Sequence, residues 1–392
     1  MKKYFFVLGS NPELSLAEIL SIFPTLSYEL FDSVVVLEIK EDLDLEALFK
    51  SLGGIIKFGE VLGDFSFSNR NALSDFIKEK LSSIAKSSAE SSKFNFGFSN
   101  YSNSELPINL FKLGLDLKKN LKLKDISSRM VMSKEKTLSS VVVEQNKVIK
   151  SGAEFCFFVK NFRVFVGRTL AVQDFKFLSK RDFGRPRRDD HSGMIPPKLA
   201  QIMINLARKN DLDFNQKTIM DPFCGSGTIL MEAYLMGFKN IVGSDISEKA
   251  VLDSRDNIDW IINLKEGNKM ESSGKNIDIF QSDVLDLKPF FKEESIDYMV
   301  CEPYLGPQRG YSEFSGVVQE LNALYSKALD DFYYFLKKGG RVVMVWPQFR
   351  STNNTWKLNP NIGKFKHLKK RGSLVYGREN QKVWREIIIL EK

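Results

Sequence analysis

Cysteine and histidine are scarce in this sequence: Cys156, Cys224 and Cys301, with His191 and His367, are spread over 392 residues. None stands at the short spacings that zinc ligands or redox pairs require, and no disulfide framework is suggested. The expectation is a metal-free mechanism in a reducing, cytoplasmic setting. Long apolar runs are lacking too. No stretch approaches the ~20 residues that span a bilayer, so no membrane association is expected. The opening MKKYFFVLGSNPELS has lysines before an apolar run, but Gly9-Ser10-Asn11-Pro12 ends that run before it reaches the length of a secretory signal. Fixed-period repeats and low-complexity tracts are missing, which removes repeat architectures from consideration.

What is present is the composition of a folded globular protein. With 43% hydrophobic and 27% charged residues, the chain is long enough for two or three domains. Its formal net charge of +8 favours anionic partners. Two stretches, Lys160–Arg188 and Lys364–Asn380, mix basic residues with aromatics, as a surface that holds phosphates and stacks on bases would. An ordinary solvated face accounts for such runs equally well.

The C-terminal half alternates strands and helices, the pattern of a doubly wound α/β sheet with crossover helices. An amphipathic helix, LAQIMINLARK, follows Pro196-Pro197. After it come strand KTIM, helix GTILMEAYLMG, strand NIVGSD, helix SEKAVLDSRDNIDWI, and strands IDIFQSD and SIDYMVCEP. VVQELNALYSKALDDFYYFLKKGG reads as a helix stopped by Gly339-Gly340, with strands RVVMVWP and VWREIIILE after it. The N-terminal half is α+β, read as two small sheets each backed by helices, with SVVVEQ among the strands. The serine-rich IAKSSAESSK reads as a loop between those sheets, and DFGRPRRDDHSG as the interdomain connection. The expected domains are residues 1–170, a linker at 171–193, and residues 194–392.

The most informative block is TIMDPFCGSGTILMEA, Thr218 to Ala233. A buried strand ends in Asp221, a loop turns at Gly225 and Gly227, and a helix starts at Thr228, so backbone N–H groups face whatever lies in the crevice. The Gly-Lys-Ser/Thr ending of a phosphate-binding P-loop is absent, and so is a full G-x-G-x-x-G. Acids sit instead at strand ends: Asp221, Asp245, Asp283 and Glu302. That suits a nucleoside ligand with positive charge and no phosphate, which S-adenosylmethionine is. Asp245 stands roughly twenty residues past the glycine loop, where a carboxylate accepts from ribose hydroxyls. Asp283 is assigned to the adenine amine and Asp221 to the methionine ammonium. Any one such Asp is more often a turn residue or helix cap; together with the loop they favour the ligand.

DPFCGSGT, GSDIS and EPYLG resemble the motifs of class I methyltransferases that modify exocyclic amines. With RDFGRPRRDDHSGMIPPKLAQIMINLA ahead of the loop and an α+β N-terminal half, the chain resembles the THUMP-domain tRNA guanosine N2-methyltransferases. The resemblance covers residues 182–350 well and the N-terminal half more weakly. It implies a Rossmann-like class I domain preceded by a ferredoxin-like plus THUMP-like region that binds RNA, with tRNA as partner. It also implies a cofactor set of Asp221, Phe223, Gly225, Gly227, Thr228, Asp245, Ile246, Asp283 and Val284. The sequence leaves open the tRNA position, the number of methyl groups, and any small activating subunit.

The family's Asp-Pro-Pro-Tyr is here Glu302-Pro303-Tyr304-Leu305. An exocyclic amine is a poor nucleophile because its lone pair is delocalised into the ring. A carboxylate and a backbone carbonyl accepting its N–H bonds can draw the nitrogen toward tetrahedral geometry while an aromatic face holds the base. Glu302 is assigned to orient the amine and take its proton. Pro303 is assigned to stiffen the loop and leave its carbonyls free, and Tyr304 to stack on the base. Guanine's edge presents two adjacent donors to one carboxylate, which favours guanine over adenine. An adenine N6-methyltransferase on DNA or RNA, and a catalytically inactive RNA-binding paralogue, stay open as alternatives. Cys224 and Cys301 are expected to be buried fillers, and His191 either a cofactor contact or a loop residue.

Overall fold

The computed structural model describes residues 2–23, 27–39, 44–87, 93–189, 194–211, 213–266, 276–306, 314–351, 354–368, 374–377 and 381–392. They gather into two compact units. One comprises Met1–Pro12, Thr25–Lys50 and Ile55–Phe175; the other Glu13–Pro24, Ser51–Gly54 and Lys176–Lys392. Among the described residues no helix is long and apolar enough to cross a membrane. His191 and parts of the serine-rich loop, the interdomain connection and the second basic stretch lie outside the described residues.

The first unit's strands are β1 (Lys2–Leu8), β2 (Tyr28–Leu30), β3 (Val34–Ile39), β4 (Ile55–Ser66), β5 (Phe94–Asn100), β6 (Ser128–Val131), β7 (Gly152–Lys160) and β8 (Arg163–Val172). Helices along the same stretch of chain are α1 (Pro12–Ile22), α2 (Leu45–Lys50), α3 (Arg70–Ser87), α4 (Leu110–Lys122) and α5 (Ser140–Gln145). The expected α+β character holds, but the two small sheets are one. Eight strands run in the order β2-β3-β1-β4-β8-β7-β5-β6. The long strand β4 joins the halves, pairing β1 on one edge and β8 on the other. Strand spacing along the chain does not reveal that a twelve-residue strand has partners on both sides.

SVVVEQ is helix α5 rather than a strand. Ser139 caps it by accepting from the Val142 N–H at 3.2 Å, and this local bond outweighs the β preference of three valines. Inside this unit a fully buried Lys57 donates to Glu154 at 2.6 Å and to the Leu138 carbonyl at 2.5 Å. Ser99 and Thr169 also donate to Glu154, so the buried charges are both paired and hydrogen-bonded.

The second unit holds α6 (Phe175–Phe183), α7 (Pro197–Arg208), β9 (Thr218–Asp221), α8 (Thr228–Met236), β10 (Asn240–Asp245), α9 (Glu248–Glu266), β11 (Asn276–Gln281) and β12 (Ile296–Cys301). It continues with α10 (Ser315–Phe335), β13 (Leu336–Arg350), β14 (Thr355–Lys357), β15 (Lys366–His367), β16 (Val375–Tyr376) and β17 (Val383–Glu391). The sheet order is β11-β10-β9-β12-β13-β17-β15, parallel through β13 and antiparallel at β17. Apolar residues of α7, α8 and α9 fill the core on one face and those of α10 the core on the other, which is the doubly wound, Rossmann-like layering. The order turns between β9 and β12, so a crevice opens at their carboxyl ends, where Asp221 and Glu302 stand.

Two boundaries differ from expectation. Helix α10 ends at Phe335, and Gly339-Gly340 lie inside β13. Leu336 turns extended (ψ 135°) and is buried opposite Ile296, so sheet pairing claims the residues that read as a helix tail. Helix α1 also gathers with the second unit. Its Glu18, fully buried, accepts from the Gly53 and Gly54 N–H groups at 2.8 Å each and from Asn205 at 2.6 Å.

Candidate active site

Asp221 closes β9 and is 1% exposed. Its carboxylate accepts the Phe223 N–H at 3.1 Å. Burial pushes the carboxyl well above the usual range, and the nearby Asp245 and Glu302 push it further. Beyond it the loop turns through Gly225 (φ +50°) and Gly227 (φ +79°), conformations that suit glycine. A Cβ on Gly227 would lie 2.4 Å from Ser254 Oγ, whereas at Gly225 it would point into open space. Helix α8 then begins at Thr228 with no side-chain cap, so its first N–H groups are left for the crevice.

The end of β10 is stitched to this loop. Gly225 donates its N–H to Asp245 Oδ2 at 2.9 Å, and Cys224 donates to the Ser244 carbonyl at 2.9 Å. The other oxygen of Asp245 accepts the Ser247 N–H at 3.0 Å. Asp283, just past β11, accepts the Leu285 N–H at 3.0 Å and so opens a short 3-10 turn. Asp221, Asp245, Asp283 and Glu302 thus line up at the carboxyl ends of adjacent parallel strands. Of the apolar residues assigned here, Ile246 is 66% exposed beside the crevice, Phe223 is half-buried, and Val284 is buried in the α10-side core.

The Glu302-Pro303-Tyr304-Leu305 segment follows β12. Glu302 meets Arg385 of β17: Nε donates to Oε1 and a terminal nitrogen to Oε2 at 3.4 Å. The two side chains are 10% and 9% exposed. Burial pulls the guanidinium's pKa down, but Glu302 outweighs it and the net shift is upward. Pro303 is buried, and Leu305 sits in the α7-side core. Tyr304 is 62% exposed, its ring free of the core. The expectation that this loop's carbonyls stay free fails at Tyr304, whose carbonyl accepts the Tyr325 hydroxyl at 2.7 Å. Cys224 and Cys301 are buried, and burial raises both thiols far above their usual range, leaving little thiolate.

Several residues at this site were not picked out by the sequence. Arg185 donates to the Thr228 hydroxyl at 2.5 Å, at the start of α8. Asn257 of α9, fully buried, accepts the Arg187 N–H at 3.0 Å and donates to the carbonyls of Arg187 and Ser226 at 2.9 and 2.8 Å. It fastens the basic stretch to the glycine loop. Arg385 did leave a signal: it is a charge at the strand parity of Ile387 and Ile389, which pack in the α7-side core.

The arrangement suits a cationic organic ligand. A buried carboxyl with acidic neighbours gains from a positive partner, and the open side of Gly225 leaves room against the loop.

Residues 185–376 match the family described as RMKL-like, methyltransferase domain. The tRNA (guanine(10)-N2)-dimethyltransferase of Methanothermobacter thermautotrophicus is 31% identical over 193 residues, 48% of this chain and 49% of that protein. Its namesake from Methanocaldococcus jannaschii is 30% identical over 177 residues, 44% and 45% of the two chains. The chain thus spans about half the length of the curated relatives it matches. Among solved structures, TrmN from Thermus thermophilus aligns over 100% of this chain and 99% of its own at a TM-score of 0.53 and 17% identity, a likeness of fold.

Proposed function

We propose that the chain is a tRNA methyltransferase acting on the exocyclic N2 amine of a guanosine, with S-adenosylmethionine as methyl donor. The observation that carries this reading is the row of carboxylates at the crevice, with Asp221 buried behind a glycine loop. The curated relatives named for tRNA guanine N2 dimethylation support the substrate.

Asp221 would hold the ammonium of the donor, Asp245 the ribose hydroxyls and Asp283 the adenine amine. Each carboxylate has lone pairs beyond the backbone N–H groups it already accepts. Phe223, Gly225, Gly227, Thr228, Ile246 and Val284 would line that pocket. When bound, the donor supplies a methyl group on a positively charged sulfur. Glu302 accepts the N–H of the guanine amine and turns the nitrogen's lone pair toward the methyl, while the exposed ring of Tyr304 supports the flipped base. The nitrogen loses one proton as it gains carbon, and Glu302 is the acceptor beside it. Pro303, buried next to both, keeps their spacing.

On this reading residues 1–170 bind RNA, 171–193 connect, and 194–392 carry the chemistry in the cytoplasm. The relatives' position, guanine 10, is the first to examine. Transfer of labelled methyl from S-adenosylmethionine to unmodified tRNA tests the reading, with Glu302→Gln as comparator. Label on tRNA that falls by about 10²-fold or more in the variant supports it. Parental transfer by Glu302→Gln removes Glu302 from the mechanism.

A further inference from the structure

Glu302 and Arg385 are 83 residues apart in sequence and meet at one point in the fold. β17 runs antiparallel to β13, with Arg385 opposite Pro347, so its first residues lie where the parallel strands end. Arg385 shares strand parity with Ile387 and Ile389, which are buried in the α7-side core, and it occupies the end of that row next to the crevice. A side-on guanidinium thus braces the carboxylate from the sheet.

Stability does not account for such a pair. Desolvating two charges offsets most of their attraction, and apolar residues of similar volume do as well or better at such places. Position does account for it. Glutamate carries one more methylene, about 1.5 Å of reach and one more rotatable bond, than the aspartate of the Asp-Pro-Pro-Tyr pattern. Without a brace its carboxylate could sweep across the crevice.

We propose that Arg385 is a positioning residue for methyl transfer, fixing Glu302 so that an unused acceptor site on its carboxylate faces the reacting amine. An ionised carboxylate has about four such sites. Arg385 takes one on each oxygen, and an outward-facing site remains to accept an N–H of the exocyclic amine. This inference rests on the function proposed above and names what sets the geometry of its reacting group.

The test uses the full chain, unmodified tRNA transcript and labelled S-adenosylmethionine under single-turnover conditions, with Arg385→Gln and Arg385→Lys beside the parent. Arg385→Gln is expected to lose on the order of 10²-fold in transfer rate at neutral pH, the cost of a misplaced reacting group. Its affinities for tRNA and for S-adenosylhomocysteine should stay at parental values. Arg385→Lys keeps the charge without the two-pronged contact, and its rate should fall between those of the parent and Arg385→Gln. Where Arg385→Gln fails to fold, Arg385→Lys decides: a lowered rate at unchanged tRNA affinity supports positioning, and a parental rate overturns it. A parent that labels tRNA while Arg385→Gln does so equally fast overturns this inference alone. A parent that leaves tRNA unlabelled overturns the proposed function, and this inference with it.

Discussion

Gly225 and Asp245 are joined by a backbone N–H to carboxylate hydrogen bond of 2.9 Å, which ties the loop after β9 to the end of β10. The same carboxylate accepts from Ser247 at 3.0 Å, so both oxygens are aimed by the backbone. One side chain therefore shapes the glycine loop, and on the proposed reading it also accepts from the donor's ribose. Asp245→Ala should weaken affinity for S-adenosylhomocysteine by about 10- to 100-fold, given ~1.5–3 kcal/mol for hydrogen bonds to a charged group. Titration calorimetry on the parent and the variant checks this, and equal affinities would remove Asp245 from the pocket.

Asp221 gives the site a pH dependence. Burial first, then Asp245 and Glu302, raise its carboxyl well above the ordinary range, so it keeps its proton to a higher pH than an ordinary aspartate, and the proposed cationic donor would favour its release. Affinity for S-adenosylmethionine should therefore rise with pH up to that raised value, with protons released on binding. Calorimetry in buffers of different ionisation enthalpy measures the release. Asp221→Asn should bind more weakly and show no release; a parent with pH-independent affinity would contradict this role.

Glu18 links pH to the stability of the second unit. Burial outweighs its donors Asn205, Gly53 and Gly54 and raises it to about 7, from 4.5. The folded state then holds a proton that the unfolded state has released between these values, so stability falls as pH rises through that window and is highest below it. At 1.36 kcal/mol per unit, the loss is about 3 kcal/mol. The stability of the parent relative to Glu18→Gln should decline by that order from pH 4.5 to 7, as chemical denaturation would measure. A constant difference would mean that the donors hold Glu18 ionised throughout.

In the first unit, removing one member of the buried Lys57–Glu154 pair leaves the other charge without its partner. Lys57→Met should cost about 3–5 kcal/mol, and Lys57→Met with Glu154→Leu should recover much of it. Thermal unfolding of the single and double variants tests the coupling, and additive losses would contradict it.

The C-terminal half was legible because its signals are local. Apolar runs ending in acid, the glycines at 225 and 227, and Pro197 at a helix start each constrain nearby backbone, and the doubly wound order follows from their alternation. What stayed hidden depends on partners. Whether SVVVEQ pairs in a sheet or coils behind Ser139 is a contest between propensity and a cap, and the cap prevails. That LKKGG joins β13 follows from where β12 lies, not from its own letters. The brace on Glu302 comes from an antiparallel strand 83 residues downstream, which no motif spacing encodes. Its trace was a lone arginine in a row of isoleucines.

The identity of the methylated nucleoside tests the account most directly. Purified chain, S-adenosylmethionine and unmodified tRNA, followed by digestion to nucleosides and mass spectrometry, should yield methylated guanosine carrying its methyl on N2, once or twice. N6-methyladenosine, or no methylated nucleoside at all, would contradict the account.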